Sequence, residues 1–330
     1  MKKTLTIISL IVFTFLAINS IAKAEIKVVT SIKPIHSLAS YVMDGVGKPD
    51  IIVDGYNSPH NFSLKPSHAK MIEKANLIIW VGEDLETFLE KPLKTIGKNA
   101  VNVEIMDLKG IKKLKFREKN IFESHDDHGH GHKEHKEHGH DEHKEHGHKE
   151  KKHDDHGHEG HAHGEFDPHI WLDPLNAKKI LKEMAKHLIE NDQANESIYK
   201  ENLKKANKDL DKLVKQVKSD LNKDFKSIVF HDAYQYFEKR FKVNVLGAFT
   251  VNTDVLPGAE QLSEIREIIE HEKVTCVFSE PQFNPNIINA VAKDTNIKTG
   301  VLDPLGATLN PGKGLYFDLI SNMAKSFKGC

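Results

Sequence analysis

Apolar residues arrive in short blocks separated by amphipathic stretches. Residues 26–30, 51–53, 77–81 and 100–106 are compact runs rich in Val and Ile, the form of strands buried on both faces of a sheet. Helical spacing fills 35–43 and 66–74. The alternation returns later, with strands expected at 227–230, 243–246, 274–278 and 298–302 and helices at 232–241, 260–272 and 284–294. Strands alternating with helices imply parallel sheets. The pattern therefore predicts an α/β protein of two lobes, each with a mainly parallel sheet flanked by helices.

Between the two sets, 176–221 keeps a helical period throughout. Ile180, Met184 and Leu188 fall four apart, and Leu203, Ala206, Leu210, Leu213, Val217 and Leu221 follow at steps of three and four. The second series is one stripe of a helix about six turns long. The expected organisation is an N-terminal lobe at 25–190, one long connecting helix at 191–222 and a C-terminal lobe at 223–330. A stiff helical connector should restrict opening of the lobes.

The first 24 residues follow a different pattern. Lys2 and Lys3 precede an apolar run, and Ala22-Lys23-Ala24 offers a small-x-small cleavage site. This is the pattern of a cleaved secretory signal, with cleavage expected after Ala24. The run is short for a membrane anchor, no Cys stands near residue 24 for lipid attachment, and no later stretch approaches the ~20 apolar residues of a spanning helix. The mature chain is expected to be soluble and exported. Its 2 Cys, Cys276 and Cys330, then form a disulfide by default in an oxidising compartment. Two free thiols, with Cys276 simply buried, are the alternative.

Composition adds one anomaly. Of 22 His, 15 crowd into residues 125–163, among Gly, Lys, Glu, Asp and a single Ala. That tract has no large apolar residue to offset the entropy of ordering, so it is expected to be disordered. Its imidazoles suit exchangeable binding of Zn, Cu, Ni or Co; a solubilising linker is the plainer reading. Lys+Arg total 47 against 48 Asp+Glu, a balance that excludes nucleic acid as a dominantly electrostatic partner.

Seven His lie outside the tract. His60 follows the strand at 51–53, and His231 ends the strand at 227–230. His169 sits in Asp167-Pro168-His169-Ile170-Trp171-Leu172-Asp173-Pro174, which the two prolines mark as a short extended segment. Loops at the C-terminal ends of parallel strands are where open α/β sheets bind ligands. Two imidazoles from the first lobe and one from the second would suit Zn²⁺, with a fourth position left for water or a carboxylate. His68, His187 and His271 read as surface residues on polar helix faces, and His36 as a residue near the cleft with no ligating role.

With these residues in place the chain resembles the periplasmic zinc-binding component of bacterial zinc-uptake ABC transporters, the ZnuA-type members of the cluster A-I solute-binding proteins. The resemblance is carried by Ser31-Ile32-Lys33-Pro34, by the ten residues from Ser58 to Ser67 around His60, and by His169-Ile170-Trp171-Leu172. It continues in the eight residues from Phe230 to Phe237, in the nine from Thr275 to Phe283, and in Leu302-Asp303-Pro304-Leu305-Gly306. It implies a monomeric periplasmic receptor with zinc in the cleft, bound by His60, His169 and His231. Its partner would be a membrane permease driven by a separate ATPase subunit. It also matches a Cys276–Cys330 disulfide. Some members carry Glu just before the first His. Here Pro59 stands there, so water is the expected fourth ligand and Asp303 the runner-up. Glu280 is a candidate for orienting a ligating His.

Other functions fit less well. A manganese receptor of the same family would have a carboxylate in place of His231. A zinc hydrolase or lyase could use three His and a water, but there is no HExxH motif. A metal buffer or adhesin would make the tract the active part. No nucleotide site is present, since the Gly-rich stretch 306–314 has the wrong spacing and lacks Ser or Thr after Lys313.

Overall fold

The computed structural model describes residues 25–117, 119–122, 164–221, 225–251, 253, 257–293 and 295–330. The expected signal segment and the histidine tract lie outside the described residues. Two four-stranded sheets organise the rest. The first is built from β1 (Val28–Ile32), β2 (Asp50–Val53), β3 (Leu77–Trp80) and β4 (Val101–Glu104), in the order β2-β1-β3-β4. The second is built from β5 (Lys226–His231), β6 (Asn244–Thr250), β7 (Cys276–Ser279) and β8 (Lys298–Val301), in the order β6-β5-β7-β8. Every pairing is parallel, as the apolar blocks predict.

Helices cover the sheets: α1 (Lys33–Val42), α2 (Pro66–Lys74), α3 (Thr87–Thr95), α4 (Pro174–Asn191), α5 (Glu196–Asp220), α6 (Gln235–Phe241), α7 (Ala259–His271), α8 (Asn286–Ala292) and α9 (Leu315–Lys328). Proline occupies the first turn of α1, α2 and α4, where a missing N–H leaves no hydrogen bond unmade. Two helices add to the predicted set. One is α3, which carries Pro92 in its interior, a residue that argues against a helix. The other is α9, whose buried stripe Leu315, Leu319, Met323 and Phe327 repeats every four residues.

The connecting helix α5 spans 25 residues, about seven turns, one more than expected. It buries Tyr199, Ala206, Leu210, Leu213 and Val217 and packs on α1, α4 and α9. It is therefore part of the structure's packed core, not a free rod between lobes. That core runs continuously from the first sheet into the second through these helices. A separate cluster under α7 and α8 takes Ile228 and Phe230 of β5, while the intervening Val229 faces the main core. Period two along the strand thus divides β5 between two hydrophobic layers.

The strand order places the chain reversal between β1 and β3 in one sheet and between β5 and β7 in the other. The crevice at the carboxyl ends of such strands is the usual ligand position of an open parallel sheet.

Candidate metal centre

His60, His169 and His231 converge. Their ring centroids lie 4.9 to 5.6 Å apart. One ring nitrogen from each falls within 4.8 Å of the other two, and among the described residues no other group of His, Cys, Asp or Glu meets this condition. A tetrahedral zinc with Zn–N bonds of about 2.0–2.1 Å places its donors roughly 3.4 Å apart. The three rings line two small cavities of about 10 and 20 Å³, each of a size to hold a water.

Each imidazole arrives from a different element. His60 follows β2 on the segment leading into α2, and His231 is the last residue of β5. The helix expected to open at Asp232 begins instead at Gln235, because a tight turn closed by Ala233 N to His231 O intervenes. His169 precedes a single 3-10 turn, Ile170–Leu172. This corrects the extended reading of that segment. Proline bars an α-helical interior, but one turn fits between Pro168 and Pro174, with Leu172 N bonding His169 O at 3.1 Å.

That turn is held from the far side of the cleft. Tyr236 Oη donates to Asp167 O, Tyr316 Oη to Trp171 O, and Trp171 Nε1 to Pro304 O at 2.8 Å. Arg240 forms a bidentate pair with Asp173, whose carboxylate also caps α4 through Leu175 N. Side chains and backbone of the second half of the chain thus fix the position of His169.

A carboxylate orients one of the imidazoles, and a second carboxylate stands near another. Asp167 Oδ1 accepts from His169 N and lies 2.8 Å from His169 Nδ1. A proton on Nδ1 completes that bond and leaves Nε2 to bind a metal. Burial, with His231 adding to it, holds the His169 imidazolium well below its usual range, so the ring is neutral and ready to ligate at pH 7. Burial pushes the Asp167 carboxyl up, against the opposing pull of the His169 amide, His231 and Arg117. Glu280 Oε1 accepts from Tyr234 Oη at 2.8 Å and stands 3.4 Å from His231 Nδ1. Glu280 thus stands near His231 without bonding it, and His231 Nδ1 is buried with no hydrogen-bond partner among the described residues. Asp167 was not singled out from the sequence, although it stands two residues from His169 in the same motif.

Asp303 stands outside the histidine group. Its carboxylate accepts from Ala307 N, Thr308 N, Thr308 Oγ1 and Gln282 Nε2. His36 is buried against Pro49 O, and His68 Nδ1 accepts from Lys65 N. His271 is exposed at the end of α7. His187 is mostly covered, between Glu183 and Glu190 at 3.3 and 3.1 Å, rather than on an open polar face. Cys276 and Cys330 are joined by a disulfide that ties the C-terminus to β7.

A buried charge cluster backs the third imidazole. Arg117 donates to Asp232 Oδ1 at 2.8 Å and to both oxygens of Glu238, and its guanidinium lies 3.8 Å from the centre of the Phe122 ring. The surrounding segment crosses the cleft. Lys112 is paired with Asn176, Leu114 N donates to Tyr236 Oη, and Asn120 and Phe122 bond the backbone of β6.

Two parallel-sheet halves meeting over three converging imidazoles define a two-lobed solute-binding protein with a metal-type site. Residues 28–330 match the family described as ZnuA, zinc-uptake complex component A, periplasmic. The chain is 48% identical over 314 residues to a high-affinity zinc uptake system protein ZnuA of Brucella abortus, covering 94% of this chain and 93% of that one. The protein of the same name from Yersinia pestis is 34% identical, with the same coverage. A solved ZnuA structure superposes with a TM-score of 0.71 at 22% identity, covering 92% of this chain and 98% of that chain; at that identity it speaks for the fold. The chain belongs to the ZnuA family, whose members are binding components of zinc uptake and not enzymes.

Proposed function

We propose that this protein captures Zn²⁺ in the periplasm through His60, His169 and His231, with water as the fourth ligand. It then passes the ion to the membrane permease of an ABC importer powered by a separate ATPase subunit. Zinc is cargo here. The observation that carries this reading is the convergence of three imidazole nitrogens within 4.8 Å of one another, two of the three residues being buried. An all-imidazole donor set suits zinc better than manganese, which prefers oxygen ligands. The names of the relatives support the same cargo. Export through cleavage after Ala24 and an auxiliary collecting role for the tract at 125–163 belong to this reading.

Calorimetric titration of a chain lacking 125–163 tests it. One tight equivalent of Zn²⁺ is expected, lost in His231→Ala. If tight binding vanishes with the tract and is indifferent to His231, the tract is the active part and the cleft reading fails. Trp171 is buried with its ring centroid 5.3 Å from His169, so its fluorescence should change with that first equivalent.

A further inference from the structure

Beside the three imidazoles, Gln282 Oε1 is a buried acceptor that meets no hydrogen-bond donor among the described residues. Gln282 lines the same small cavity as His60, His169 and His231. We propose that Gln282 determines the metal selectivity of this site. Its Nε2 holds Asp303 out of the coordination sphere, and its Oε1 accepts a hydrogen bond from the water that completes zinc's coordination. This rests on the assignment of the three histidines as zinc ligands.

The orientation of the amide follows from its neighbour. An ionised carboxylate only accepts hydrogen bonds. Gln282 must therefore turn its NH₂ to Asp303 Oδ1, 3.2 Å away, and keep its oxygen for another donor. Asp303 faces a different cavity, shared with Gly306 and Thr308. The amide thus bridges from the Asp303 loop to the histidine cavity. Asp303 takes three further hydrogen bonds from Ala307 N, Thr308 N and Thr308 Oγ1. These three donors hold it to its own loop, and Gln282 occupies the side of Oδ1 that is turned to the histidine cavity.

The consequence is chemical. With Asp303 restrained, the protein donors are three neutral nitrogens, a set that suits zinc. A carboxylate entering the site would add a hard anionic oxygen and favour manganese. A buried carbonyl oxygen calls for a donor, and a metal-bound water is a strong one. Binding zinc with its water satisfies Gln282, whereas exchanging that water for Asp303 would leave it unsatisfied.

The test uses full-length mature protein with Gln282→Leu, which removes both hydrogen bonds at similar volume, and Gln282→Glu, which keeps the shape but repels Asp303 and offers an anionic oxygen. Chelator competition gives Zn²⁺ and Mn²⁺ affinities, visible absorption of bound Co²⁺ reports coordination, and thermal melting without metal reports folding. All variants carry the tract, so its contribution cancels. Gln282→Leu should weaken Zn²⁺ about tenfold or more, alter the Co²⁺ bands and lower the Zn/Mn affinity ratio. Gln282→Glu should lower that ratio by raising Mn²⁺ affinity, and it decides the matter if the Leu variant does not fold. Asp303→Asn should leave Zn²⁺ affinity within about threefold, well inside the range that loss of an orienting group produces. Unchanged affinities and Co²⁺ bands in both Gln282 variants would overturn the proposal, as would loss of tight zinc binding in Asp303→Asn. Tight binding that survives His231→Ala would instead refute the histidine assignment beneath it.

Discussion

Arg117→Met removes the guanidinium that pairs with Asp232 and Glu238 while keeping most of the apolar stem over Phe122. The Asp232 side chain is 0% exposed, that of Glu238 8% and that of Arg117 21%. Burial pushes both acids up, and Arg117 pulls them down. Removing one partner of a buried ion pair ordinarily costs about 3–5 kcal/mol, because the remaining charge is left uncompensated. Spread over lobes of this size, that is a fall in melting temperature on the order of 10 °C. The sign of the pH dependence is also fixed. The stranded carboxyls become tolerable when protonated, so the deficit should shrink from pH 8 to pH 5. Adding Asp232→Asn and Glu238→Gln should recover much of it, since no unpaired charge then remains. Thermal unfolding of the metal-free protein across that range measures all three effects. A loss below about 1 kcal/mol, the value of a surface pair, or a loss that does not change with pH, would show that Arg117 is not the counter-charge of this cluster.

Asp167→Asn should weaken Zn²⁺ binding by about 10- to 100-fold, because His169 loses the acceptor that fixes its tautomer; chelator competition reads this, and an unchanged affinity would contradict the role. Glu86 is fully buried, its Oε2 accepting from Val81 N and Gly82 N, and burial raises its carboxyl from 4.5 to about 7. A raised acid contributes stability that is complete below 4.5 and is lost as pH rises through 7. Wild type should therefore lose up to about 3 kcal/mol relative to Glu86→Gln between pH 4.5 and 8, checked by denaturant unfolding at each pH; parallel pH profiles would refute it. Cys276→Ser with Cys330→Ser opens a loop with a sequence separation of 54, and should cost up to about 4 kcal/mol in the chain-entropy view. Chemical denaturation of the double variant measures it, and a stability equal to wild type would exclude a stabilising role.

The sequence by itself determined the architecture. Short apolar blocks at β1, β3, β5 and β7 could only be strands covered on both faces, and their alternation with helical stripes required parallel pairing. It also marked His60, His169 and His231, because each stands beside a strand end or a proline-bounded turn. The boundaries were less legible. Pro92 disguised α3, and the backbone turn after His231 delayed α6 by three residues. The sequence alone did not show how the site is assembled. Tyr236, Arg240, Pro304 and Tyr316 fix the His169 turn through bonds between residues 67 to 145 positions apart in the chain. Arg117 reaches Asp232 across a separation of 115 residues. Asp303 is the runner-up fourth ligand that the resemblance offers, and the tertiary structure adds its hydrogen bonds from Gln282, Ala307 and Thr308. Periodicity reports which face of an element is buried. Which charges share that buried space depends on long-range closure, and only the tertiary structure brings those partners together.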